Sequence, residues 1–229
     1  MRSQQSGFTL VEIAIVLVII GLLLGGVLKG QELINSAKSK AVISDFRNTA
    51  TMIAAYQDRF RTLPGDDRAA NTHLATAVVA TTFACGAAPA GAISNGGIDG
   101  CWNSTTVTDE SVLMWQHLRL ANLASGDTTA PTAALVAADW LPRNSEGGQV
   151  GVQGIAPFTG MTGRMFVCQG NVSGRIALQV DSTMDDGLPN QGSIRFGVLG
   201  AAGVAIVPVT VGVGGTFDEN TLYVVCASF

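Results

Sequence analysis

The chain has 229 residues, with 13 Lys plus Arg against 17 Asp plus Glu and only 13% charged side chains, about half the usual share. A formal net charge of −4 excludes a nucleic-acid binder that works through a basic surface, since neutralising phosphates takes clustered Lys and Arg. Apolar residues at 47% exclude disorder, which combines low hydrophobicity with high net charge.

The first predicted element is an apolar helix. From Phe8 to Leu28 the one charged residue is Glu12. About 20 apolar residues cross a bilayer as a helix, so this run predicts a membrane span, and no second run of its kind follows. A secretory signal is the competing reading. It would have a basic start, an apolar stretch of about 7–15 residues and a small-residue cleavage site. Here the start, Met1-Arg2-Ser3-Gln4-Gln5-Ser6-Gly7, is weakly basic, the run is too long, and no Ala-x-Ala follows. Glu12 is the conspicuous residue. A charge at the bilayer centre costs about 2.5–3.5 kcal/mol on insertion scales, so an intramembrane carboxylate is a functional residue by default. Gly21-x-x-x-Gly25 and Gly26-x-x-x-Gly30 have the spacing that lets membrane helices approach closely.

Beyond Leu28 the pattern becomes amphipathic. Val42, Phe46, Thr49, Ile53, Tyr56 and Phe60 recur at spacings of four and three, one helical stripe. The other faces hold Lys38, Lys40, Asp45, Arg47, Asp58 and Arg59. One helix from Phe8 to about Arg61 is predicted, roughly 80 Å long. Leu63-Pro64-Gly65-Asp66 is expected to end it, Pro blocking continuation and Gly taking the turn.

The remainder, residues 62–229, reads as a loop-rich head. A helix is predicted over Glu110 to Asn122, with Asp109 as N-cap and one buried face of Val112, Trp115, Leu118 and Leu123. His117 is expected to be a structural hydrogen-bond donor. Residues 84–106 are rich in Gly, Ala, Ser and Thr, with no apolar core of their own expected. Strands are predicted at 164–168, 193–199, 204–209 and 222–227, rich in Val, Ile and Phe, with Pro208 marking an edge. Residues 174–184 fit either a strand or a helix.

The four cysteines, Cys85, Cys101, Cys168 and Cys226, lie in the head. With no CxxC pair and two His, zinc is not expected. An even number beside a single span reads as two disulfides in an oxidising compartment, which puts the head outside the cytoplasm. The expected pairs are Cys85–Cys101 and Cys168–Cys226. The first would restrain the weakest loop, worth ~3 kcal/mol for about 15 residues; four cysteines leave three connectivities open. Calcium takes about 6–8 oxygen ligands. The residues it would use, Asp185, Asp186 and Asn190, are too few and follow no EF-hand spacing. A turn and helix-capping role is expected there instead, with no metal and no cofactor. No GxSxG, GxxxxGK[ST], HExxH or strand-borne GxGxxG motif occurs, so no enzyme is expected.

Gly7-Phe8-Thr9-Leu10-Val11-Glu12, continued by the apolar run to Gly26, resembles the class III signal of type IV pilins and of the pseudopilins of type II secretion. Leu63-Pro64-Gly65-Asp66 and Trp115-Gln116-His117-Leu118 resemble segments of pilin-like heads. The resemblance implies a pilin fold of class α+β: a long N-terminal helix, transmembrane then amphipathic, packed on a small antiparallel sheet. It also favours the helix over the strand for 174–184. It implies a leader, residues 1–7, cut after Gly7 by a prepilin peptidase that methylates the amine of Phe8. Residues 8–28 would be the transmembrane and later filament-core helix, 29–61 its amphipathic half, 62–229 the head. Glu12, four residues after Phe8, would meet that amine in its own chain or a neighbour's, and Gly21 and Gly25 would ease helix packing. The implied partners are further copies of the chain, an inner-membrane assembly platform and motor, an outer-membrane secretin and the lipid bilayer. The implied sites are the inner membrane before assembly and an extracellular pilus after it. A minor pilin or secretion pseudopilin is the alternative within the family. A single-span periplasmic binding protein that never polymerises is the alternative of another class.

Overall fold

A computed structural model describes residues 10–80, 95–137, 139–200, 206–210 and 215–229. The chain divides into two units, Met1–Ala37 and Lys38–Phe229. Helix α1 (Leu10–Phe60) has 51 residues, includes every described residue of the first unit and opens the second. It contains no Pro, and its Leu, Ala and Ile residues keep the helix regular. Residues 8 and 9, where the sequence starts the helix, lie outside the described residues. The helix ends differently from expectation. Arg61 takes the left-handed conformation at φ 62, and its N–H donates to the Gln57 carbonyl at 2.8 Å. The stop is therefore a left-handed cap on an arginine, reached before Pro64. Gly65, at φ +90, instead makes room for α3: a Cβ there would stand 2.5 Å from the Glu110 carbonyl oxygen.

Within the second unit α1 buries Ser39, Val42, Ile43, Phe46, Thr49, Ile53 and Tyr56, the predicted stripe with Ser39 and Ile43 added and Phe60 only half-buried. Two short helices, α2 (Ala70–His73) and α4 (Ala133–Ala137), flank the larger α3 (Glu110–Leu120) in sequence. The one-faced burial expected of α3 is not what forms. Every residue from Glu110 to Arg119 is buried, because polar chain segments wrap its far side. Gln116 shows how: its Oε1 accepts from the Val78 N–H at 3.0 Å and its Nε2 donates to the Thr76 and Thr128 carbonyls. Asp109 does occupy the N-cap position but makes no side-chain cap bond; its carboxylate accepts from Ser104 Oγ instead.

The strands are β1 (Val150–Gln153), β2 (Phe166–Ser173), β3 (Ile194–Leu199), β4 (Ile206–Pro208) and β5 (Leu222–Ser228), and helix α5 (Gly174–Met184) follows β2 directly. They form a five-stranded sheet in the order β1-β2-β5-β3-β4, antiparallel throughout. The molecule is thus α+β, a long apolar N-terminal helix with a small antiparallel sheet. Segment 174–184 is a helix, and Pro208 lies on an edge strand, where its missing N–H does least harm. β1 is not among the expected strands; its four residues are all buried, so no alternation marks it. β2 starts later and runs further than the expected 164–168.

Alternation across β2 and β5 gives the sheet two different faces. Val167, Val225, Ala227 and, from β3, Phe196 join one cluster with Val42, Phe46 and Ile53 of α1 and Ile176 and Val180 of α5. Gln169 on this face donates from Nε2 to the Val42 carbonyl of α1 at 2.8 Å. The opposite face carries Phe166, Cys168, Val224 and Cys226, covered by Trp102, Phe158, Met161 and Ile206. Residues 95–106 are accordingly not coreless, as Ile98 and Trp102 are both buried. Trp102 lies across β1. Its N–H donates to Gln153 Oε1, its carbonyl accepts from Gln149 Nε2, and a Cβ on Gly151 would run into that carbonyl.

Candidate functional site

The N-terminal part of α1 is the first place to look for function. Its large apolar side chains from Leu10 to Leu28 are 46–86% exposed, and among the described residues it is the one helix long and apolar enough to span a membrane. The 19 residues from Leu10 to Leu28 rise about 28 Å, close to a bilayer core of about 30 Å. Glu12 sits in the first turn, where a carboxylate suits the positive end of the helix dipole. Gly21, Gly25, Gly26 and Gly30 would each meet nothing within 4 Å if given a Cβ, so small residues line this stretch of the helix. Gly7 and Phe8 lie outside the described residues, as does any contact of Phe8 with Glu12.

The cysteine expectation can be followed in part. Cys168 and Cys226 are disulfide-bonded and face one another across β2 and β5 in register, both fully buried. Cys101 is also disulfide-bonded, while Cys85, its expected partner, lies outside the described residues. In the acidic turn, Asp185 Oδ2 accepts from the N–H of Ser193 and of Ile194. Asp186 Oδ1 accepts from the Leu188 N–H at 2.8 Å, and Asn190 is exposed. These are turn-forming bonds. The third carboxylate close to the two aspartates is Asp181 of α5 rather than Asn190. Sequence reasoning missed Asp181, since it sits inside a segment read for its apolar pattern.

The head interior holds several titratable groups, each with a structural assignment. His117 is fully buried. Its Nδ1 accepts from the Gly65 N–H at 3.0 Å and its Nε2 donates to the Val78 carbonyl at 2.8 Å, so it acts as acceptor as well as the expected donor. Burial pushes its pKa down, against smaller opposing effects of the Val78 carbonyl and Asp67, and the ring is neutral. Asp67 accepts from Tyr56 Oη at 2.8 Å and from the Ala69 N–H, and meets His73 Nδ1 at 2.9 Å. Burial alone would raise its carboxyl, but those bonds outweigh it and hold it below the usual carboxylate range. Glu110 is the opposite case. Its Oε2 accepts from the Asp99 N–H at 2.8 Å, and its carboxyl shares a hydrogen bond with the Asp66 side chain. Burial first, then the nearby Asp66 and Asp99, push it up to about 8. Such a group is protonated at neutral pH and can donate to a carboxylate. Among the described residues the histidines and these buried acids are thus tied into packing by named hydrogen bonds.

A family model described as the prokaryotic N-terminal methylation motif matches residues 2–28. The chain carries the class III signal of type IV pilins and pseudopilins. The match ends at Leu28, where the uncharged apolar run ends. The match covers the N-terminal segment alone; it supports a pilin-like or pseudopilin precursor and fits one anchored in a membrane. No curated protein and no solved structure matches the chain.

Proposed function

We propose that this chain is the subunit of a type IV pilus, cut after Gly7 by a prepilin peptidase, methylated on Phe8 and polymerised through its apolar helix. The observation that carries the reading is an apolar helix, matched by the methylation motif over residues 2–28, whose large side chains to Leu28 are at least 46% exposed. In the membrane, lipid covers that surface. In a filament, the same helices from neighbouring copies cover it, with small residues such as Gly21 and Gly25 allowing close approach. Glu12 supplies register. A carboxylate within an apolar bundle needs a cationic partner, and the amine of Phe8 on an adjacent subunit is the nearest suitable one. Such a pair gives specificity more than stability, and removing one partner leaves a buried charge costing roughly 3–5 kcal/mol.

The pool of subunits would be drawn from the inner membrane by a platform and motor and leave through a secretin, with the heads forming the outer surface. The mass of the N-terminal peptide of the native protein tests processing and methylation together: a peptide beginning with methylated Phe8 is expected, and one beginning at Met1 refutes the proposal. Glu12→Ala is expected to insert normally but to lose filaments by at least tenfold in sheared surface fractions. Normal filaments in that variant would refute the register argument. A major pilin would dominate those fractions, whereas a minor pilin or pseudopilin would be a trace component.

A further inference from the structure

We propose that a cavity within the second unit, between α1, α3 and β1, binds a small zwitterion, an α-amino acid with a large apolar side chain. The cavity has a volume of about 510 Å³, inside the range of about 300–1,000 Å³ usual for small-molecule sites. Its walls carry an acid from α1, Asp45, and a cation from α3, Arg119. Among the described residues neither of them forms an ion pair.

Arg119 sets the anionic half of the ligand. It is only 6% exposed. Its Nη1 donates to the Asp127 carbonyl and its Nη2 to the Trp140 carbonyl, and the guanidinium lies over the Trp140 ring. These partners are all neutral. The Asp127 carboxylate, near enough to act on Arg119, accepts from the Thr129 N–H instead. Nε has no hydrogen-bond partner. Gly126, at φ +128, leaves room beside it, since a Cβ there would stand 2.7 Å from Nε. Trp115 lines the same cavity from one turn earlier on α3, is buried, and holds an indole N–H that is likewise unbonded. Buried polar groups in folded proteins are bonded and buried charges are paired. Two orphan donors, one of them on an unpaired guanidinium, call for an anion with two oxygens, which a carboxylate supplies.

Asp45 sets the cationic half. It is half-buried, and burial raises its carboxyl with no cation to offset the effect. Asn48, one turn on and also in the wall, gives its Nδ2 to Ser44 Oγ, so what it has left for a ligand is an acceptor oxygen. An ammonium donates three hydrogens and accepts none, and these two acceptors suit it. Arg143 does not answer Asp45, because it is bonded to Asp139 and to the Gly147 carbonyl. A ligand with one charge alone would leave either Arg119 or Asp45 unanswered. Met52, Leu123 and Val150 complete the wall and suit an apolar side chain.

The test uses the full chain in detergent at neutral pH. It is titrated by calorimetry with L-phenylalanine and with two analogues that keep one charge each, hydrocinnamate and phenethylamine. The amino acid should bind saturably with a Kd of about 1 mM or below, and both analogues at least tenfold more weakly. Asp45→Asn should weaken phenylalanine at least tenfold and leave hydrocinnamate unreduced. Without ligand this variant should unfold at the wild-type Tm or above, since burial disfavours the charge it removes. Trp115→Phe, which keeps a ring and drops the N–H, should weaken phenylalanine and hydrocinnamate alike. The proposal is overturned by no saturable binding below about 10 mM, by analogues that bind as well as phenylalanine, which would mark an apolar cleft alone, or by unchanged phenylalanine affinity in Asp45→Asn.

Discussion

Glu110→Gln is the most informative substitution in the head. Glu110 is fully buried, and its pKa moves from an ordinary 4.5 up to about 8 through burial and the carboxylates of Asp66 and Asp99. The folded protein therefore holds this proton more tightly than the unfolded chain. Stability from Glu110 is complete below about pH 4.5, falls as the pH rises, and levels off above about 8. At about 1.4 kcal/mol per tenfold, the interval amounts to roughly 5 kcal/mol, large against a typical total of about 5–15 kcal/mol. Glutamine keeps an acceptor for the Asp99 N–H and presents a permanent donor toward Asp66, so the variant should lack this dependence. The assay is urea unfolding of both full-length proteins in detergent between pH 5 and 8, followed by tryptophan fluorescence. Trp102, Trp115 and Trp140 are all buried and all lie in the second unit, so the signal reports the head. Asp181, pushed up to about 7 mainly by burial, acts in the same sense, and His117, pushed down, acts in the opposite one; both cancel in the difference between the two proteins. The variant should gain on the wild type by several kcal/mol from pH 5 to 8. A wild type that loses no more stability than the variant over that range would refute a protonated Glu110 and the reasoning behind it.

Two further substitutions probe the head. Replacing Cys168 and Cys226 by serine opens a loop with a sequence separation of 58, and chain entropy puts the loss at roughly 4 kcal/mol; urea unfolding of oxidised protein against the double variant measures it. Gly65→Ala combines a positive φ with a Cβ 2.5 Å from the Glu110 carbonyl, and should destabilise by about 2–4 kcal/mol in the same assay. Substituting Gly147, also at positive φ but with nothing within 4 Å of a Cβ, should cost less, about 1–2 kcal/mol. Equal losses at the two glycines would show that the close approach to α3 is unimportant.

The sequence is most readable where periodicity is long. The apolar run and the stripe from Val42 to Tyr56 extend over many turns, and both appear as read. The helix at 174–184 rests on resemblance, since Ile176, Leu178 and Val180 alternate as well as they stack. What stays hidden depends on contacts distant in sequence. α3 is buried on all sides because Gln116, His117 and Arg119 bond segments some 8–40 residues away, and nothing local announces that. β1 is four buried residues, one of them Gly151, too short to show a period. The end of α1 falls to Arg61, in the left-handed conformation, while Gly65 serves where α3 passes. At the candidate site, Glu12 and the glycines stand out for being unlike their surroundings, whereas the buried Asp181 blends into a helix read for its apolar pattern.

The strand order β1-β2-β5-β3-β4 has a consequence for biogenesis. β5 is the latest of these strands to leave the ribosome, yet it occupies the middle of the sheet. Until it arrives, the β1-β2 and β3-β4 hairpins have no common neighbour, and each waits as a half-sheet with an open side. Pairing so remote in sequence is slow, and open strand edges invite association with other chains. A cell that makes this head must therefore tolerate, or shield, an interval in which two hairpins await the strand that joins them.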